Sequence, residues 1–231
     1  MTQRGYARLA GFLFLWLIIT GLAGVITTSR IVGSGTFAEK DKRVAASETL
    51  YRAALCSDLV EALSAAVLAF ALYVTLKPVN PLLAQMAMYW RLMEAIIGSV
   101  GMIFSFARLG AYMSPPSIQS QALVDLTHYA GTASYNIAAI SFSIGSALFY
   151  YLFFKSRYIP RILSAFGVLA SFAVTVLCFG TLIFPERTAS FQYVGWVPMA
   201  VAEVVTGFWL MLFAIHESDR SSPLRPAIEE S

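Results

Sequence analysis

Six mostly apolar blocks, at about residues 6–28, 50–76, 82–107, 126–154, 162–184 and 194–216, follow one another along the chain and are separated by polar turns. A helix rises about 1.5 Å per residue, so roughly 20 apolar residues cross a hydrocarbon layer about 30 Å thick. Each block is long enough. Within such a layer every backbone N–H and C=O must be satisfied by the protein itself, which leaves helices or a closed barrel. A barrel would show segments of about ten residues with alternating polarity, and these blocks are unbroken. The chain therefore reads as all-α: a polytopic transmembrane helix bundle with six spans. Composition agrees, with 58% of the 231 residues hydrophobic, 13% charged and a mean hydropathy of +0.69.

The turns carry their own signals. In Lys77-Pro78-Val79-Asn80-Pro81 the prolines end one helix and open the next, and Pro160 does the same before the fifth block. Thr36-x-x-Glu39 has the form of a capping box, which predicts a short surface helix between the first two spans. The first block follows Arg4 and Arg8, as a signal peptide would, but it is long and no convincing cleavage pattern follows, so it reads as a retained helix. Residues 1–231 form one membrane domain in this reading, with a flexible cytoplasmic tail at 217–231. The net charge of +3 is spread over several loops, which gives nucleic-acid binding no support. Cys56 and Cys178 fit no zinc or redox spacing and read as small apolar residues in helices; a bridge between them stays open, because both lie toward the same membrane face.

Orientation follows from Lys and Arg in the short loops. Six spans put both termini on one side, with Arg4, Arg8, Lys77, Lys155, Arg157, Arg161, Arg220 and Arg225. The other side has Arg30, Lys40, Lys42, Arg43, Arg108 and Arg187. The bias, and above all the dense Lys155 to Arg161 turn, places both termini in the cytoplasm.

Several stretches carry a resemblance: Arg8-Leu9-Ala10-Gly11, Ala46-Ser47-Glu48-Thr49-Leu50-Tyr51-Arg52, Leu72-Tyr73-Val74-Thr75-Leu76-Lys77-Pro78-Val79-Asn80, Trp90-Arg91-Leu92-Met93-Glu94-Ala95 and Ser156-Arg157-Tyr158-Ile159-Pro160-Arg161-Ile162-Leu163. In this order and spacing, from about Arg8 to Phe184, the chain resembles a family of small bacterial integral-membrane proteins catalogued only as a domain of unknown function. The resemblance implies a multi-pass helical fold in the bacterial cytoplasmic (inner) membrane. It implies no activity, and no catalytic residue carries over from it.

Against this apolar background, Arg52, Asp58, Glu61, Arg91, Glu94, His128 and Glu203 stand inside or at the mouths of the spans. A charge at the centre of a spanning helix costs about 2.5–3.5 kcal/mol even on the lenient insertion scale, so several together point to a use. Counted from the inner helix ends, Glu94 and Glu203 lie about 18 Å deep and Arg91 about 13 Å, near the midplane. Glu61 lies somewhat outside them, and Asp58, Arg52 and His128 near the outer boundary. Asp58 and Glu61 are three residues apart, as are Arg91 and Glu94, so each pair projects from one helix face. Gly98, Gly101 and Ser105 continue the face of Arg91 and Glu94 as small residues suited to close helix approach. His128, Thr132 and Tyr135 share a side of the fourth span with Asn136 beside them, and Pro198 precedes Glu203 by about one turn.

Two accounts compete for these charges. As structural locks, Arg91 pairs with Glu94 or Glu203, and Arg52 with Glu48 or Asp58. As a site, four carboxylates facing two arginines leave a surplus of negative charge that water, a bound cation or a proton must meet. The ligand-binding or proton-relay candidates are accordingly Asp58, Glu61, Arg91, Glu94, His128, Tyr135, Asn136 and Glu203, with Arg52 and Arg91 as structural ion-pair candidates. No metal site or cofactor is expected, and a lone histidine such as His128 does not make one. His216 reads as a boundary residue, and Tyr150, Tyr151, Phe191, Tyr193 and Trp196 as interface belts. Nothing of the form GxSxG, HExxH, a phosphate loop or a dinucleotide fingerprint occurs.

The first reading is thus a polar pocket, open to the outside, that binds or passes a small cationic or amphipathic solute and couples to protons at Glu94 or Glu203. An accessory or scaffold subunit with buried salt bridges is the alternative, and an intramembrane lipid-acting hydrolase the third. The expected partners are the lipid bilayer, a small solute or cation, and, since six spans are few for a transporter, a second copy in a homodimer. The charge bias makes one direct prediction: in a variant without native cysteines, a membrane-impermeant thiol reagent added outside labels Ser34→Cys and not Ser156→Cys. The reverse pattern would overturn the orientation.

Overall fold

The structure, a computed structural model, describes residues 1–188, 191–213 and 215, without the side chains of Gln192 and Tyr193. The expectations for His216, Arg220, Arg225, the Tyr193 ring and the tail at 217–231 lie outside the described residues. In chain order the helices are α1 (Gln3–Val32), α2 (Phe37–Ala46), α3 (Glu48–Leu76), α4 (Pro81–Tyr112), α5 (Ile118–Ser156), α6 (Arg161–Ile183), α7 (Pro185–Thr188) and α8 (Gln192–Leu212). Six of them, all but α2 and α7, are long and apolar enough to cross a membrane. The protein is a multi-pass helical membrane protein.

Most helices outrun the apolar blocks because their ends are capped by polar residues outside the hydrocarbon. The Asn80 side chain accepts the Leu83 N–H at 3.0 Å with Pro81 in the first turn, and Ser117 closes a reciprocal cap with Ser120 that starts α5 well before its apolar part. At the other end of α5 Arg157 takes the left-handed conformation and turns the chain toward Pro160. The last helix is shorter than expected and ends at Leu212.

The six spanning helices pack in chain order around a closed ring: α1 on α3, α3 on α4, α4 on α5, α5 on α6, α6 on α8 and α8 back on α1. Lipid tails give helices no hydrophobic reason to associate, so the seams rest on small residues and polar contacts. Ser57 donates to the Thr20 carbonyl between α3 and α1, Ser134 to the Ile97 carbonyl between α5 and α4, and Ser143 shares a 2.8 Å hydrogen bond with Thr175 between α5 and α6. The ring closes where Gly11 of α1 and Gly207 of α8 meet backbone to backbone.

Two apolar clusters occupy the ring at different heights. The larger fills the end holding the N-terminus of α1 and runs through Leu13, Leu68, Leu72, Leu76, Phe149, Leu152, Phe153 and Leu210. Gln3 ties this end together by donating to the Thr75 carbonyl at 2.7 Å and to the Tyr158 hydroxyl. The smaller cluster lies at the opposite end, where Val44 of α2 is buried among Ile31, Tyr51, Leu55, Leu109 and Tyr112, with the Phe37 ring stacked on Tyr112.

Helix α2 is thus a cap on the far end of the ring. Its start is the expected capping box, in which the Glu39 carboxylate accepts the Thr36 N–H at 2.9 Å. That hydrogen bond, helped by the Thr36 hydroxyl, lowers the Glu39 pKa below the ordinary carboxylate range. Arg43 anchors α2 to the end of α1 by donating to the Val32 and Ser34 carbonyls at 2.6 and 2.7 Å. Both cysteines are free, Cys56 exposed and Cys178 buried, so the bridge left open by the sequence is not formed.

A Cβ on Gly11 would stand 2.6 Å from the Gly207 carbonyl oxygen and 2.8 Å from the Met211 nitrogen, both rigid backbone atoms. Gly11→Ala is therefore expected to lower stability by about 1–3 kcal/mol through overpacking of the α1–α8 seam. Gly110→Ala, which meets nothing within 4 Å, serves as the control in a detergent melting assay. Equal melting of the two variants would contradict the backbone closure.

Candidate functional site

The intramembrane charges lie at the end of the larger apolar cluster that faces α2: its members Ala87, Ala95, Phe142 and Ala202 flank Arg91, Glu94 and Glu203, and along α3 Asp58 and Glu61 fall between Leu55 of the smaller cluster and Ala65 of the larger. Arg91 of α4 is the centre. It is 2% exposed, and its stem lies against the bare Cα of Gly145 in α5. Its guanidinium carbon stands 4.4 Å over the Phe142 ring, and its Nη1 donates to Ser146 Oγ at 3.3 Å. The same Nη1 is 3.1 Å from a carboxylate oxygen of Glu94, three residues along α4, as the spacing predicts. Glycine is required at 145 by this approach, since a Cβ there would fall 2.8 Å from Arg91 Cγ and 3.0 Å from the Ala87 carbonyl.

The charge of Arg91 reaches Glu61 of α3 and Glu203 of α8 as well as Glu94, although only Glu94 is in ion-pair contact with it, and Glu61 and Glu94 also lie in the field of neighbouring acids. All three are half-buried, Glu94 with 17% of its side chain exposed. Among the described residues, neither Glu61 nor Glu203 forms a salt bridge of its own. Arg91 Nε and Glu94 Oε2 are buried without a hydrogen-bond partner among the described residues, although that oxygen is in ion-pair contact with Arg91.

Asp58 extends the acidic face upward along α3. Its carboxylate rests on Gly24 of α1, so closely that any Cβ there would overlap it, and Glu61 rests in the same way on Gly21, whose Cβ would lie 3.5 Å from Glu61 Cγ. Two glycines three residues apart on α1 therefore receive two acids three residues apart on antiparallel α3. The matched spacing is present in the sequence and is the signal by which Gly21 and Gly24 are recognisable as part of the site.

On the fourth span the candidates separate. Tyr135 projects inward: it lies near Glu61, Glu94 and Cys178, from three different helices, and its ring packs on Trp196 of α8 at 5.7 Å. Even so it is 55% exposed. Asn136 is buried but donates to the Thr132 carbonyl of its own helix at 2.8 Å, a structural role. His128 stands apart on the exposed rim, with its Nδ1 2.9 Å from Arg108 Nη1, and is not brought to the acids.

Arg52 also leaves the group. It pairs with Glu48 at 2.7 Å on an exposed face of α3, a contact worth about 0.3–0.5 kcal/mol at such a site. The charge count is altered by this: within the ring, one arginine faces Glu61, Glu94 and Glu203. The aromatic residues read as interface belts divide as well. Tyr151 and Phe191 are exposed, as belts require, whereas Tyr150 is 2% exposed and its hydroxyl is 3.4 Å from Thr206 Oγ1. Trp196 stacks on Phe142 at 6.0 Å and forms an inner wall with Tyr135. Pro198 lies inside α8 and deprives the Val194 carbonyl of its helical hydrogen bond on the approach to Glu203.

Arg91→Ala is expected to cost about 3–5 kcal/mol, because it leaves the buried Oε2 of Glu94 with no cation. The double variant Arg91→Met/Glu94→Leu removes both partners and should melt well above Arg91→Ala. Melting of the two variants at the same temperature would show that the pair is not buried as described.

No curated protein and no solved structure matches the chain. Over residues 9–214 it matches the family described as "Domain of unknown function (DUF4386)". The match takes in all six spanning helices with Asp58, Glu61, Arg91, Glu94, Tyr135 and Glu203, and the chain belongs to that family.

Proposed function

We propose that the helix ring binds or passes a small cationic or amphipathic solute at Glu61, Glu94 and Glu203. One observation carries the reading: the buried guanidinium is in ion-pair contact with Glu94, while Glu61 and Glu203 lie within reach of its charge and form no salt bridge among the described residues, so the acids outnumber the cation available to them. In a low-dielectric interior such a surplus is neutralised by a bound cation, by water or by protons. A cation entering the ring displaces the other two, which couples its binding to proton release from Glu94 or Glu203. The half-exposed Tyr135 supports access to these acids. With the termini cytoplasmic, as the loop charges suggest, the acids face the outer half of the ring, and the larger apolar cluster fills the inner end.

A scaffold whose charges only brace helices would need every acid matched. Arg91, Glu94 and Ser146 do brace α4 against α5, but among the described residues Glu61 and Glu203 form no salt bridge.

The test compares wild type with Glu203→Gln, an uncharged near-isostere. Purified full-length protein in detergent is melted at constant ionic strength while sodium, potassium and organic ammonium salts replace one another, and proton movement is followed in liposomes. Wild type is expected to be stabilised by at least one cation and to release protons on binding it. Glu203→Gln should lose most of both responses while keeping its own fold. Identical responses in the two proteins would make Glu203 a structural residue and end the proposal.

A further inference from the structure

We infer that the ligand is an organic cation, an ammonium carrying apolar groups, held between the acids and an aromatic wall formed by Tyr135 and Trp196. The inference rests on the cation-binding reading above and gives it a substrate class. A bare metal ion needs several oxygens converging at about 2.0–2.6 Å. Among the described residues, no three His, Cys, Asp or Glu side chains come together closely enough to hold one. The acids are instead distributed around the ring, Glu61 on α3, Glu94 on α4 and Glu203 on α8, and suit a cation wide enough to lie between them.

The wall supplies what the carboxylates do not. Trp196 of α8 packs on both Tyr135 and Phe142 of α5, helices that are not neighbours in the ring, so this surface crosses the interior. One part of it already holds a cation: the Arg91 guanidinium lies over Phe142 at 4.4 Å. The next part does not, since Tyr135 is near Glu61 and Glu94 and more than half exposed. An alkylammonium there meets π faces on one side and carboxylates on the other, and its apolar groups cost little to dehydrate.

The probe is benzyltrimethylammonium chloride, with benzyl alcohol as the neutral aromatic control and sodium, potassium and calcium chlorides at matched ionic strength. Full-length protein is followed by thermal melting and by tryptophan fluorescence. The ammonium is expected to raise the melting temperature and perturb the fluorescence saturably, while benzyl alcohol does neither. Tyr135→Phe should bind as wild type does, and Tyr135→Ala, with its melting temperature measured beside it, should bind about tenfold more weakly, the size of one partly desolvated cation–π contact. If the inorganic cations stabilise as well as the ammonium and Tyr135→Ala makes no difference, the organic class falls and the cation site stands. If no cation of either kind shifts the protein, both readings fall together.

Discussion

One guanidinium holds the charged centre of this protein in balance. Arg91 is buried near the middle of the ring, where its own desolvation would be prohibitive without an anion, and Glu94 three residues away supplies one through the geometry of a single helix. Around that pair the neighbouring helices have to fit. Gly145 yields space for the arginine stem, Phe142 turns its ring face to the cation, and Ser146 accepts a hydrogen bond from it. Arg91 thus braces α4 against α5 by direct contact, and its charge reaches Glu61 on α3 and Glu203 on α8.

The glycines perform the complementary task. Hydrocarbon gives packed helices no gain over lipid-solvated ones, so the seams form where backbones approach closely or where a polar side chain crosses. Gly11 with Gly207 closes the ring, Gly145 admits Arg91, and Gly21 with Gly24 receives the two acids of α3. The acids can therefore stand in the seam between α1 and α3 and still face the interior.

Much of this was legible in the sequence, and what was not has identifiable causes. The six helices follow from apolar blocks that admit no other solution in a bilayer, and the Arg91–Glu94 pair follows from a three-residue spacing on one helix. Both are local signals. Arg52 looked equivalent to Arg91, but it lies in the first turns of α3, where Glu48 is one turn away and solvent is near. His128 similarly lies at the rim, and its partner Arg108 comes from another helix, which no one-dimensional pattern announces. Tyr150 and Trp196 were read as interface residues because they lie near helix ends, where belts are also found. Only the ring closure, which turns α8 toward α5, reveals them as interior. Asn136 shared the face of Tyr135 by periodicity, but a polar side chain in a helix can turn back onto its own backbone, as this one does.

The meeting of Gly11 and Gly207 makes the order of the helices matter for how the molecule is built. The ring is assembled from neighbours in sequence, and only its last seam joins the first helix to the eighth. While α8 is still to be placed, α1 and α6 are open flanks, and Arg91, Glu94 and Glu61 border a gap rather than an enclosed interior. Lipid or the insertion machinery must occupy that gap until the Gly207 face seats on Gly11. The closed ring and the charge that Glu203 brings to it therefore arise in the same event, so the ionic centre has its full complement of acids only once the wall around it is complete.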